Sequence, residues 1–368
     1  MKRRKWIHLA GGSFLTAGAV AYGFSDRKNL VRSDLPDSWE GSAALLAAEW
    51  RILALAPSGH NTQPWFIHPI EPWYWIIGND SNRWLHAVDP TQRETLFSIG
   101  AFMKNLEYAA SEYGYDCLWE LLGDNAQAAQ IMEVKLVSKA AAPSFAIGKI
   151  TSRRTVRFNY LKIPLRKKNL DFLLDDESDF IHYFPSSSEQ LQSINQQNLE
   201  ANRLQSWRDN PQEELAKWVR FTSREAALNQ DGLITASMEI GSIPGWVLRN
   251  FYGNKQVIGK NFRERSIEKV RREVTESGGW FLITSKNDSV AEWLETGRRM
   301  QRLFLEVRGR NIAVHPMTQI LEEPATRQAL TQSIGISQPI QFILRIGYLK
   351  TYPAPVSLRR PVEWFLHK

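Results

Sequence analysis

Ala56-Pro57-Ser58-Gly59-His60-Asn61-Thr62-Gln63-Pro64-Trp65 is the most constrained stretch of this 368-residue chain. Two prolines stiffen a short polar loop that ends in an aromatic side chain. Asn61 and Gln63 can each donate and accept hydrogen bonds, which suits the alternating N–H and C=O edge of a flat heterocycle. Ser58 and the amide of Gly59 add donors, and Trp65 offers a wall for stacking.

Three further segments carry chemistry. Arg153-Arg154-Thr155-Val156-Arg157 places two arginines four residues apart with a hydroxyl between them. On a helix Arg153 and Arg157 would share a face, and with Thr155 they would cradle a phosphate. The tail Ser357-Leu358-Arg359-Arg360-Pro361-Val362-Glu363 offers another cation. It resembles the nitroreductase ending of a basic residue before Pro-hydrophobic-Glu, which implies Arg360 in preference to Arg359 on the phosphate. Ala313-Val314-His315-Pro316-Met317-Thr318-Gln319 follows a long helical pattern. The segment resembles a Pro-containing turn that nitroreductases place close to the flavin's central ring. That implies Pro316, Met317 and Thr318 as candidates there, with backbone N–H groups of the turn steadying the reduced form. His315 reads as structural.

The first segment resembles the Pro-Ser-x-x-Asn-x-Gln-Pro-Trp loop of the FMN-dependent nitroreductase family, and the second resembles that family's Arg-Arg-Ser-x-Arg phosphate grip. The resemblance covers roughly residues 45–365. It implies an α+β, nitroreductase-like fold with flavin mononucleotide (FMN) held by Ser58, Gly59, Asn61, Gln63, Trp65, Arg153, Thr155, Arg157, Pro316, Met317, Thr318 and Arg360. It also implies two-electron reduction of a flat, electron-poor acceptor, a nitroaromatic or a quinone, with NAD(P)H as candidate electron donor. Little turnover, with FMN merely sequestered, is the alternative. No residue is singled out as an obligatory acid or base.

Order and length refine the resemblance. The Pro-Ser-Asn-Gln motif precedes the arginine motif, the reverse of the usual family order, and the chain is near twice the usual subunit length. Both features resemble the tandem branch that includes the mycobacterial Acg proteins. Gly100-x2-Met103-x2-Leu106 recurs as Gly297-x2-Met300-x2-Leu303, as a duplication would require. The resemblance therefore implies a monomeric pseudo-dimer. The expected units are an export signal or anchor over 1–24 and a linker over 25–42. Two halves follow over 43–145 and 146–368, with a helical, lid-like insertion near 207–275.

Composition agrees with a folded redox protein and removes rivals. The chain is 43% hydrophobic, enough for a packed core. Its formal charge is +7, but Lys2, Arg3, Arg4 and Lys5 supply four of the 46 basic residues within an acid-free stretch, leaving 42 against 39 acids. That near-balance does not suit nucleic acid. Cys117 is the lone cysteine, so a dithiol redox pair is excluded and redox chemistry needs a bound cofactor. No histidine pair has metal-ligand spacing. Arg3-Arg4-Lys5-Trp6-Ile7 before an apolar run resembles a twin-arginine export signal, with Ala19-Val20-Ala21 as a cleavage site. A periplasmic location is expected, with membrane contact only if the segment stays uncleaved.

Helical patterns cover 42–55, 98–113, 146–154, 189–206, 212–229, 261–275 and 290–308. Strand patterns cover 73–77, 131–137, 180–184, 280–284 and 339–349, with irregular structure over 230–262 and an extended tail over 353–365. Without regular βαβ alternation or a glycine-rich phosphate loop, this is α+β and not doubly wound.

Overall fold

The structure is a computed structural model, and it describes residues 25–26, 30–32, 50–139 and 147–367, the side chain of residue 176 excepted. The export signal, most of the 42–55 helix and the boundary near 145 lie outside the described residues.

The chain is α+β, as its patterning predicts. The first strands are β1 (Trp65–Glu71) and β2 (Tyr74–Asn79), followed by the helix α1 (Arg93–Glu112), β3 (Tyr115–Leu121) and β4 (Gln130–Ser138). Next come α2 (Gly148–Ser152), α3 (Lys167–Leu174), β5 (Ile181–Pro185), α4 (Gln190–Trp207), α5 (Asp209–Trp218) and α6 (Ser223–Asn229). Then follow α7 (Ser242–Phe251), α8 (Asn254–Val257), α9 (Lys260–Thr275), β6 (Gly279–Thr284), α10 (Val290–Glu306) and β7 (Ile312–Pro316). Two helices, α11 (Gln319–Glu322) and α12 (Pro324–Ile334), precede β8 (Ile340–Tyr348).

The strands form two antiparallel four-stranded sheets, β1-β2-β4-β3 and β5-β6-β8-β7. The two orders are the same when each sheet is counted in its own chain order. In both sheets a long helix, α1 or α10, joins the second strand to the third. Those helices cross at Gly100 and Gly297: a Cβ on Gly100 would overlap the Leu294 carbonyl oxygen, and one on Gly297 would overlap that of Phe97. Only glycine allows backbones this close. One apolar core spans the crossing, with Phe97 and Phe102 on α1, Phe304 on α10, and Phe281 and Phe342 from the second sheet. The tail closes the arrangement. Phe365 is fully buried, and the backbone of Ile67 donates to the Phe365 carbonyl (2.7 Å) and accepts from His367 (2.7 Å).

Several elements depart from the sequence patterns. The edge strands β1, β3 and β7 carry no apolar alternation long enough to read, because Pro69 and Pro316 interrupt two of them and β3 is largely solvated. The expected 212–229 helix breaks at Val219, which bridges to Leu233 instead. The supposedly irregular 230–262 holds α7 and α8. The described parts of the supposed 25–42 linker are packed: Asp26 accepts from Ser223 Oγ (2.6 Å), and the Arg32 backbone N–H donates to the Val356 carbonyl (3.1 Å). Among the described residues no helix is long and apolar enough to cross a membrane.

Candidate functional site

Four segments far apart in sequence line one cavity of about 350 Å³. They are residues 57–61, the arginine segment 153–157, residues 315–319 after α10, and the tail at Val356, Ser357 and Arg359. Helices α4, α5 and α9 form a further wall with Asn202, Gln205, Gln212, Lys269 and Glu273. The volume falls within the roughly 300–1,000 Å³ typical of small-molecule sites.

The arginine segment is not helical where its side chains emerge. Helix α2 stops at Ser152, and Arg153 takes extended dihedrals (φ −59°, ψ 137°). The expected shared helical face is therefore corrected to an extended one. Alternate side chains of extended backbone point the same way, so Arg153, Thr155 and Arg157 still reach one cavity. Arg154 pairs with Glu239 (3.0 Å), whose other oxygen accepts from the backbone N–H groups of Arg157 (2.9 Å) and Phe158 (3.0 Å). Glu239 thus sets the path of the segment from within the insertion, and nothing in its sequence neighbourhood announces that.

Among the described residues, Arg153, Arg157 and Arg359 form no ion pair. The Leu55 carbonyl accepts from both Arg153 Nε (3.4 Å) and Arg359 Nη2 (3.1 Å), which brings the two guanidinium groups together. Burial lowers Arg153 to about 10, helped by the charge of Arg32. Burial also holds Arg359 well below its ordinary value, helped by Arg153 and Arg32, and it lowers Arg157. Arg153 Nη1 and Arg359 Nε have no hydrogen-bond partner among the described residues. Crowded, buried and unneutralised cations of this kind fit a bound phosphate.

Of the other predicted residues, Ser58, Gly59 and Asn61 line the cavity, whereas Gln63, Trp65 and Arg360 do not. Asn61 spends its side-chain amide on the carbonyls of Gly232 (3.2 Å) and Leu358 (3.1 Å), and its oxygen accepts from Arg359 (2.8 Å). Gln63 donates to Gln230 (3.1 Å) and accepts from the Arg360 N–H (2.8 Å). Both amides are spent on the insertion and the tail, which corrects their expected role at a ring edge. Trp65 is fully buried against Phe102 (5.2 Å between ring centres) and makes no stacking slot. Arg360 donates to the carbonyls of Gln63 (2.6 Å) and Trp65 (2.7 Å), so Arg359 and not Arg360 lines the cavity. Ser58 Oγ accepts from the Gln63 N–H (2.9 Å), and Ser58 and Gly59 stay in the wall.

These bonds hold strained backbone. His60, Asn61 and Gln63 have φ of 46°, 57° and 53°, a cluster of left-handed residues without glycine. Burial, and secondarily Arg157, lowers His60 to about 4, so its imidazole is neutral at neutral pH. In the 315–319 segment, Met317 gives its N–H to Ile343 (3.2 Å) and Pro316 has none. Thr318 is left as the candidate donor of the three. Its hydroxyl donates to Glu322 Oε1 (2.7 Å). His315 Nδ1 meets Arg345 Nη2 at 3.3 Å, and burial keeps the ring neutral. That is the structural histidine its sequence suggests.

Comparison with known proteins adds the following. No protein-family model matches the chain. It is 23% identical over 328 residues to the "Probable NAD(P)H nitroreductase PigM" of Serratia sp. (strain ATCC 39006), covering 84% of this chain and 89% of that protein. Its fold was matched to the FMN- and NADPH-dependent nitroreductase NfnB of Sphigopyxis sp. strain HMH, with TM-score 0.39 and 15% identity over 60% of this chain and 97% of that one. The FMN-dependent nitroreductase NfnB of Mycobacterium smegmatis gives TM-score 0.37 and 12% identity over 60% and 96%.

Proposed function

We propose that this chain is an FMN-dependent oxidoreductase of the nitroreductase type, reducing nitroaromatic or quinone-like acceptors by two electrons with NAD(P)H as donor. The observation that carries this reading is the convergence of four distant segments on one cavity in which Arg153, Arg157 and Arg359 form no ion pair among the described residues. Arg153, Arg157 and Arg359, with Thr155, would hold the phosphate. Thr318 and the backbone of residues 58–60 would face the ring. FMN, once bound, would supply the hydride-equivalent chemistry, and the chain's share is positioning, electrostatics and exclusion of water.

The same reading makes the chain a tandem pseudo-dimer of the Acg-like kind. It rests on the repeated strand order and on the Gly100–Gly297 crossing. Export through the twin-arginine-like N-terminus belongs to this proposal. The wall made by α4, α5 and α9 favours a second reading, in which FMN is sequestered and a bulky nicotinamide donor is kept out.

Absorbance of the purified chain titrated with FMN, followed by anaerobic NADPH, tests both readings. Flavin bands that bleach support the oxidoreductase, and bands that persist support sequestration. A chain that cannot be loaded with FMN would overturn both.

A further inference from the structure

Part of the cavity wall is made of carboxyl and amide groups. Glu94, at the start of α1, and Glu322, at the end of α11, both line it. Thr318 Oγ1 donates to Glu322 Oε1 (2.7 Å), and Glu94 stands beside this pair in the same wall, its Oε1 buried with no hydrogen-bond partner among the described residues. Gln205 of α4 donates to Glu322 Oε2 at 2.5 Å. Beside them Asn202 Oδ1 and Gln212 Oε1 are buried without a partner among the described residues, with side chains 8% and 6% exposed. Unsatisfied buried polar atoms in a cavity wall point to a polar ligand there.

We propose that Glu94 and Glu322 share one proton and deliver it to the acceptor in this cavity. The inference rests on the oxidoreductase reading above. An acceptor that has taken up a hydride equivalent carries one extra negative charge. The shared O–H bond breaks, an O–H or N–H bond forms on the acceptor, and the electron pair stays on the carboxylate. The acceptor is then neutral, and the pair regains a proton from water before the next turnover.

The surroundings suit a carboxyl pair that keeps its proton. Two carboxylates side by side cannot both ionise cheaply in a buried site. Burial, then Glu322, raises Glu94 to about 8, and burial raises Glu322 as well. Asp89, raised to about 7 by burial and by Glu94, adds a third acid. The opposing charge is Arg93, whose Nη2 lies 3.8 Å from Glu94 Oε1 while its Nη1 donates to the Gln341 carbonyl (3.0 Å), with Arg327 of α12 nearby. Glu323, next in the chain, is taken by Arg208 (2.5 Å). One cation facing three carboxyls leaves room for a proton.

The test has two parts. Infrared spectra of the cofactor-free full chain should show a protonated-carboxyl band at about pH 6.5 that is lost by about pH 9.5. The band should lose intensity in E94Q and in E322Q, with Asp89 supplying what remains. A wild-type chain without the band, or a band that neither substitution touches, would overturn the shared proton whether or not FMN binds. In the FMN-loaded protein, E94Q should lower kcat for a quinone roughly 100-fold at neutral pH, with KM and FMN affinity little changed. It should also remove the alkaline limb of the pH profile. An unchanged kcat and profile in E94Q would overturn delivery of the proton. Failure to bind FMN would sink the oxidoreductase reading while the infrared result still decided the proton.

Discussion

Gly100 on α1 and Gly297 on α10 face each other across the central helix crossing, so that a Cβ on Gly100 would lie 3.0 Å from the Gly297 Cα. The same Cβ would run into the Leu294 carbonyl oxygen, which is backbone and cannot swing away. Overpacking a closed core costs about 1–3 kcal/mol. G100A and G297A should therefore each lower the denaturation midpoint, and the double variant should lose less than the sum, because one separation of the helices relieves both clashes. Denaturant titration of the three variants checks this. A fully additive pair would argue against a shared crossing.

The phosphate assignment separates two neighbouring arginines. Arg359 lies in the cavity wall, whereas Arg360 is spent on the carbonyls of Gln63 and Trp65. R153A combined with R359A should weaken FMN binding by about 3–6 kcal/mol, roughly 100-fold or more, through two lost charge-assisted contacts. R360A should instead lower stability first. Fluorescence titration and thermal melting on the same variants distinguish the two outcomes. Equal loss of affinity in R359A and R360A would sink the distinction.

Arg359 and Arg360 also show where sequence reading stops. The stretch 56–65 and the triplet Arg153, Thr155, Arg157 were legible because their residue types are unusual together, and residues 57–61 and the triplet line the cavity. Which way each side chain points was not legible. It depends on partners hundreds of residues away: Gly232 and Leu358 for Asn61, Gln230 and Arg360 for Gln63. Helical α1, α4, α9 and α10 were readable from their periodicity, whereas β1, β3 and β7 take their form from pairing with β2, β4 and β8. Glu239, Glu94 and Glu322 carry no local signal. Their roles come from what the fold packs against them.

In the cofactor-free chain, buried acids and a buried imidazole pull the pH dependence of stability in opposite directions, and between about pH 4.5 and 8 the two acids outweigh the one imidazole. Glu94 (about 8 folded against 4.5) and Asp89 (about 7 against 3.8) have raised values. The folded state thus holds more protons than the unfolded one, and stability declines as pH rises toward 8. His60 is lowered from 6.5 to about 4, so its contribution is present above 6.5 and is lost as pH falls toward 4. E94Q should make the decline between about pH 4.5 and 8 shallower, and the His60 contribution should then show more clearly below 6.5. Melting temperatures of wild type and E94Q across the range check the sign. A decline of unchanged slope in E94Q would assign it elsewhere.

Asn61 and Gly232 exchange hydrogen bonds, the Asn61 side chain donating to the Gly232 carbonyl and the Gly232 N–H donating to the Asn61 carbonyl, both at 3.2 Å. This reciprocal pair fastens the insertion to the strained loop at residues 60–63. Asn61 also supplies an acceptor to Arg359 (2.8 Å). N61A should therefore do two things: speed hydrogen exchange around residues 230–233 and weaken FMN binding through a loosened Arg359. N61D separates them. It keeps an acceptor for Arg359 but loses both side-chain donations, so the insertion should loosen as in N61A. Its new carboxylate should meanwhile compete with phosphate for Arg359, and the loss of FMN affinity should shrink as salt screens that competition. G232A attacks the latch from the other side, because Gly232 sits at φ 72° and its Cβ would strike the Trp218 carbonyl. If N61A and G232A both left exchange at residues 230–233 at the wild-type rate, the insertion would be held by the Asp231 pairs with Arg83 (2.8 Å) and Arg220 (2.6 Å) and not by this exchange.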